Sequence, residues 1–144
     1  MFISNVMDRG ATPALVKTLA YNEARLRMIA ENVANSETPG YKTKRLDARA
    51  FQRAMREALD QRGSDPNRPF RIEAGGEVRT DQYGYLQVTP SLTPVENILF
   101  HDGTNMSIER QMADLAETGA MHELVTALLR GRVDGLRKAI RGQV

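Results

Sequence analysis

Apolar residues recur at every third or fourth position over two long stretches of this chain, one near each end. In the first, Leu15, Leu19, Leu26, Ile29 and Val33 keep that spacing, with Asn22 the one polar interruption. Such a period marks a helix with one apolar face. Thr12 and Pro13 at its start supply an N-cap and a proline at the first helical position, where the missing N–H does no harm. A helix to about Asn35 has about 23 residues and measures roughly 35 Å. The second stretch opens at Ser107 as N-cap, with Glu109 in the first turn where the helix dipole favours an acid. Its ladder runs Ile108, Met112, Leu115, Gly119, His122, Thr126, Leu129, Val133, Leu136 and Ile140, with Gly142 as the stop. Gly, His and Thr occupy the ladder's centre. There the apolar face slides to Ala120, Met121, Leu124, Val125 and Leu128. Unbroken, the helix has about 33 residues and spans roughly 50 Å.

Between these stretches the pattern changes. Asp47 caps a short helix with Phe51, Met55 and Leu59 on one face and Ala50, Ala54 and Ala58 beside them. It ends in the turn formers DQRGSDPNRP. Residues 62–104 hold Pro66, Pro69, Pro90 and Pro94. Gly75-Gly76 reads as a turn. YGYLQVTP alternates, with Tyr83 and Tyr85 on one face and Leu86 and Val88 shared between the other face and the strand end. The Thr89-Pro90 and Thr93-Pro94 steps favour extended backbone. NILF (97–100) reads as a short strand closed by a turn at Asp102-Gly103. The expected fold is mainly α: long N- and C-terminal helices pairing as a coiled coil, with a short helix and a loop- and β-rich insert. Residues 1–45 and 105–144 form the helical core and 46–104 the partly extended insert. The insert looks too small to bury either terminal stripe, so each helix needs the other, or further copies.

Composition narrows the function. The 144 residues suit one ordinary domain, and 41% apolar with 6% aromatic residues and no Trp is thin for a large core. The absence of Cys excludes disulfides and thiol chemistry. No apolar run reaches the roughly 18 to 20 residues of a membrane span. MFISNVMDRG lacks the basic start and apolar core of a cleaved signal, so the chain is expected in the cytoplasm or exported by a route that needs none. His101 and His122 fall on different elements with no companion ligands, and no carboxylate stands beside an acid–base partner. Neither a catalytic group, a metal nor a cofactor is expected. Net charge is +2. Basic residues crowd 42–62 and the end of the last helix (Arg130, Arg132, Arg137, Lys138, Arg141). No aromatics interleave with them, so solvated helix faces are favoured over a nucleic-acid surface. Gly119, Gly131 and Gly135 lie inside the last helix. They mark either a weak, kinking helix or close packing of crowded helices.

One short stretch carries more than its local chemistry. In ENVANSETPGYK, Asn35 closes the first helix in a left-handed conformation, and Thr38 is pushed extended by the following proline. Pro39-Gly40 form the centre of a type II turn, and Tyr41 emerges as an amphipathic anchor. Asn32, Ala34, Asn35, Thr38, Pro39, Gly40 and Tyr41 match the Asn-[apolar]-Ala-Asn-x-x-Thr-Pro-Gly-Tyr-Lys signature of bacterial flagellar rod and hook proteins. DGTNMSIERQMADLAETG resembles the run that opens the last helix of the small proximal-rod members. Gln111 departs from the Glu usual there, and Met121-His122 from an aromatic residue and Gln. The resemblance covers roughly 12–45 and 98–141.

The resemblance implies a structural subunit of the flagellar basal body, in the proximal rod of the motor's drive shaft. Such a subunit leaves through the flagellar export apparatus without a cleaved signal and stacks into a periplasmic rod. Its partners would be further copies of itself, neighbouring rod proteins, the rod adaptor protein and the membrane ring, with no nucleic acid and no membrane span of its own. Leu15, Leu19, Leu26, Ile29 and Val33 of the first helix, with Met112, Leu115, Leu128, Leu136 and Ile140 of the last, are the expected assembly contacts. The elbow would aim the insert at a neighbour. The alternatives are another rod member and, from a different class, a basic helical nucleic-acid-binding or adaptor protein.

Overall fold

The structure, a computed structural model, describes residues 10–142 except 64, 66, 67, 74 and 93–107. The expected strand at 97–100, the Asp102-Gly103 turn, the Ser107 cap, His101 and the Thr93-Pro94 step lie outside the described residues. The elements in chain order are α1 (Thr12–Ala34), β1 (Lys44–Arg45), α2 (Ala48–Arg62), β2 (Val78–Thr80), β3 (Leu86–Val88), β4 (Ser91–Leu92) and α3 (Ile108–Ile140).

The two terminal helices have the expected lengths, 23 and 33 residues. α3 carries Glu109 in its first turn and Arg137 and Lys138 in its last, matching the dipole at both ends. Gly142, at φ 67°, follows its end as expected. The start of α1 differs. Ala11 is the N-cap, without a side-chain cap bond, and Thr12 lies inside the first turn. Gly10, at φ 65°, turns the chain one residue early, and Leu15 N–H already bonds the Ala11 carbonyl.

α1 and α3 run antiparallel. Asn32 meets Gln111, Arg25 meets Asp114 and Glu117, and Gly10 lies against the Arg132 guanidinium. α3 packs on α1 and on no other element to a comparable extent, so its two buried residues, Thr118 and Val125, mark the line that faces α1. Gly119, Gly131 and Gly135 sit in an unbroken helix with open space where a Cβ would stand. Among the described residues, therefore, neither a break nor a close approach of another segment explains them.

The expectation that the insert could bury neither terminal helix is overturned for α1. Tyr21, Met28 and Ile29 join Leu46, Phe51, Ala58, Phe70, Ile72 and Val78 in one buried core. Tyr21 stacks on Phe51 with ring centroids 4.0 Å apart and planes 2° from parallel. α1 thus has two covered sides, one for α3 and one for the insert. Asp47 caps α2 as expected, its carboxylate accepting from Arg49 N–H at 2.9 Å and Ala50 N–H at 3.0 Å. Those bonds, chiefly the one from Ala50, hold the carboxyl below its ordinary pKa. Of the expected face of α2, Phe51 is buried and Met55 packs half-buried against the core, but Ala58 and Arg62 are buried in place of Leu59. Small Ala58 allows close approach, which rotates Leu59 out to 44% exposure.

Gly75-Gly76 form the expected turn, with Gly76 at φ 64°. β2 and β3 then pair antiparallel, Thr80 opposite Leu86. Tyr83 and Tyr85 are not strand residues but flank the exposed hairpin tip. The Asp81 carboxylate accepts both of their N–H groups at 2.9 Å, and turn chemistry of this kind outweighs β propensity. β4 returns to pair antiparallel with β1, Lys44 opposite Leu92. That ladder closes the insert just after the elbow.

Candidate functional site

Asn32 lies in the last turn of α1 and is fully buried. Its Nδ2 donates to the Lys44 carbonyl at 2.8 Å and to Gln111 Oε1 at 3.2 Å. Its Oδ1 accepts from Lys44 N–H at 3.0 Å and from the Tyr41 hydroxyl at 3.1 Å. A primary amide has two N–H bonds and two lone pairs, and all four are used. One side chain therefore ties α1, the returning strand, the Tyr41 ring and α3 at a single point. Glu31 adds an ion pair to Lys44 from the same turn, and that bond raises the Lys44 pKa. Burial, with the Glu31 charge second, pushes the Tyr41 hydroxyl up as well.

The loop around this point is tight but exposed. Asn35 is at φ −104°, so the expected left-handed closure does not occur. Its side chain reinforces the helix end instead, Nδ2 donating at 2.8 Å to the Glu31 carbonyl that the Asn35 N–H also bonds at 3.1 Å. Thr38 N–H bonds the Asn35 carbonyl at 3.0 Å, and Tyr41 N–H bonds the Thr38 carbonyl at 3.1 Å. With Pro39 and Gly40 between, and Gly40 at φ 75°, this is the expected type II turn. Ala34, Thr38, Pro39 and Gly40 face solvent, while Tyr41 is half-buried. Reading the sequence missed Glu31 and Lys44 as parts of this site and saw Gln111 only as a departure from a pattern.

The residues expected to carry assembly divide between the helices. On α1, Ile29 is buried at 1% exposure inside the chain, and Leu15, Leu19, Leu26 and Val33 are half-buried. On α3, Met112, Leu115, Leu128, Leu136 and Ile140 are exposed, as are Ile108, Met121 and Leu124. The surface of α1 is mostly spent within the chain, whereas that of α3 remains open. Buried polar groups on both helices are incompletely satisfied as well: Tyr21 Oη and Asn22 Nδ2 of α1 and His122 Nδ1 and Thr126 Oγ1 of α3 find no hydrogen-bond partner among the described residues. Arg25, mostly buried, is held by Asp114 at 3.0 Å and Glu117 at 3.5 Å. Among the described residues no three His, Asp or Glu side chains gather as metal ligands would, and no helix is long and apolar enough to cross a membrane. What the site offers is a fixed angle between helix and insert, beside an open apolar helix.

Comparison with known proteins bears on these same residues. The family described as flagella basal body rod protein matches residues 14–42, which contain most of α1 and the whole elbow turn. The flagellar basal body rod protein FlgB of Borrelia hermsii is 30% identical over 107 residues, covering 71% of this chain and 74% of its own. FlgB of Cereibacter sphaeroides is 27% identical over 128 residues, covering 88% and 91%. FlgB of Bacillus subtilis is 24% identical over 139 residues, covering 92% and 95%. The similarity thus extends well beyond the elbow into α3.

Proposed function

The chain belongs to the flagellar basal body rod protein family, and on that premise we propose that it is a proximal-rod subunit that assembles through its terminal helices. The observation that carries this reading is the division of labour between the helices. α1 is covered by the insert and by α3, while α3 keeps Met112, Leu115, Leu128, Leu136 and Ile140 exposed. A long helix with so much exposed apolar surface needs neighbours. Burying that surface returns roughly 25 cal/mol per Å2. That gain offsets the roughly 1 to 2 kcal/mol of backbone entropy lost per residue that orders on docking. The FlgB name of its relatives favours this rod position over a neighbouring one.

In this reading the chain passes the flagellar export apparatus unfolded, without a cleaved signal, and folds onto subunits already in place in the periplasm. α1 and α3 then pack in coiled-coil fashion with other copies, with neighbouring rod proteins, with the rod adaptor protein and with the membrane ring. The role is part of the motor's drive shaft and involves no catalysis. The elbow fixes the direction in which the insert leaves α1.

Complementation tests the reading. In a strain lacking the native gene, Met112→Asp and Leu128→Asp should abolish swimming while the protein is still made and the purified chain is as helical as the unsubstituted one. Normal swimming with both variants would overturn it.

A further inference from the structure

The outer face of α2 carries charge that its own helix does not use. Arg49, Arg53 and Arg56 follow one another at i, i+4 and i+7, within about 60° of each other and over about 10 Å of axis. All three are exposed, as is Arg45 on β1. After the bond from Ala50 N–H, the charges of Arg53 and Arg45 also favour the ionised Asp47 carboxyl, which places Arg45 beside the start of the strip. Asp47 itself is taken, because its carboxylate caps the helix by accepting from two backbone N–H groups. Among the described residues no ion pair involves any of these four arginines. Glu57 and Asp60 stand four residues after Arg53 and Arg56, the weaker order for such a pair.

Folding alone would choose other residues here. Arg49 stands in the first turn of α2, which holds no acid and where the helix dipole disfavours a cation. Arg49 and Arg53 are like charges four apart, and they repel. The inner face gains nothing from them, since Phe51, Ala58 and Arg62 fill it and Met55 packs on the core. Residues set against local preference in an otherwise consistent helix mark a surface kept for another purpose.

The chemistry of the strip selects its occupant. A guanidinium is a planar fork that takes a carboxylate bidentately. Nucleic acid is disfavoured, because no exposed aromatic side chain interleaves with the arginines to stack on bases. A lipid surface is disfavoured as well: a helix lying on a membrane buries its apolar face there, and that of α2 is already spent inside the chain. A row of carboxylates at one-turn spacing, as an acidic helix presents, matches the strip in charge and in period. We infer that the outer face of α2 docks an acidic helical segment of another basal-body protein through Arg49, Arg53 and Arg56, with Arg45 at the edge. This rests on the reading of the chain as a rod subunit, and it gives the insert aimed by the elbow an acidic partner.

The test uses the full-length chain and, as probe, a labelled synthetic helix with Glu at i, i+4 and i+7. The probe should bind, and raising salt from about 0.1 to about 1 M should weaken it, as screening requires. Replacing the strip by Arg49→Gln, Arg53→Gln and Arg56→Gln should weaken binding by about tenfold or more. The same triple variant should have a raised urea midpoint, because the repulsion and the misplaced cation are gone. Arginines that merely held the helix would cost stability when removed. In the strain lacking the native gene, the triple variant should be made and yet swim poorly. Arg49→Glu, Arg53→Glu and Arg56→Glu together should reject the Glu probe and accept its Lys counterpart. Arg130→Gln with Arg141→Gln, in the other basic cluster, should leave probe binding unchanged. An equal loss from that pair would show attraction to charge in general and overturn the inference. Unimpaired probe binding by the Gln triple, or capture of the chain by phosphatidylglycerol vesicles in place of the probe, would overturn it too. If the unsubstituted chain restores swimming and the Gln triple does so equally, this inference falls alone. If the unsubstituted chain fails to restore swimming, the rod reading falls with it.

Discussion

Asn32 pairs with the backbone of Lys44 as an adjacent strand would, donating to its carbonyl at 2.8 Å and accepting its N–H at 3.0 Å. A side chain at the end of α1 thereby starts the ladder that β1 continues with β4. The same amide binds Tyr41 and Gln111, so its loss orphans groups on three segments. Asn32→Ala should destabilise the chain by about 2 to 4 kcal/mol, since each buried group left unpaired costs about 1 to 3. Asn32→Asp keeps the shape but loses both donors, and should also destabilise. Urea unfolding measures both, and a loss under about 0.5 kcal/mol for Asn32→Ala would contradict the role assigned to this residue.

Tyr21 gives a prediction in pH. Its ring stacks on Phe51 in the core, its hydroxyl has no partner among the described residues, and burial pushes its pKa up to about 12. The unfolded chain ionises this phenol near 10, ahead of the folded one. Stability from this group is therefore fully present below pH 10 and is lost as pH rises from 10 towards 12. Tyr21→Phe keeps the stack and should flatten that part of the alkaline unfolding curve. At neutral pH it should be neutral or slightly stabilising, because it removes an unpaired hydroxyl. An unchanged alkaline slope in the variant would place the loss elsewhere.

A third prediction concerns Asn22, the polar interruption in the α1 stripe. It is 95% buried, and its Nδ2 finds no partner among the described residues. Asn22→Leu should stabilise the isolated chain by about 1 kcal/mol or more, read as a higher urea midpoint at unchanged slope. A destabilised variant would mean that Asn22 is satisfied in solution.

The extents of α1 and α3 were legible because a 3.6-residue period sustained over many turns leaves few other solutions. The turn at Pro39-Gly40 was legible because residue type alone dictates it. Other features depended on partners far along the chain. Nothing near Asn32 says that it bonds Lys44, Tyr41 and Gln111. Tyr21 and Met28 sit beside the stripe read from Leu15 to Val33, and they become core only because Phe51 and its neighbours fold back over them. Leu59 looked buried by period, but small Ala58 won the contact. Tyr83 and Tyr85 looked like strand residues by alternation until Asp81 gathered their N–H groups into a tip. The open side of α3 was hidden for a related reason: which side of a helix is exposed depends on where its partner lies.

The elbow allows a test in which stability and function separate. Gly40 is at φ 75° with nothing within 4 Å of where a Cβ would stand, and Pro39 and Thr38 beside it face solvent. Replacing Pro39-Gly40 by Ala-Ala removes no packing. It costs the left-handed strain of a non-glycine residue, roughly 1 to 2 kcal/mol, and frees the φ angle that proline fixes. The four bonds of Asn32 lie behind the turn and should hold the fold, so circular dichroism should report nearly unchanged helix content. Swimming should nevertheless fail, because the turn sets the path by which the chain leaves α1 and thus the angle of the insert. A variant with native helicity and no motility is the expected result. Native helicity with normal swimming would show that the elbow closes a helix and does nothing more.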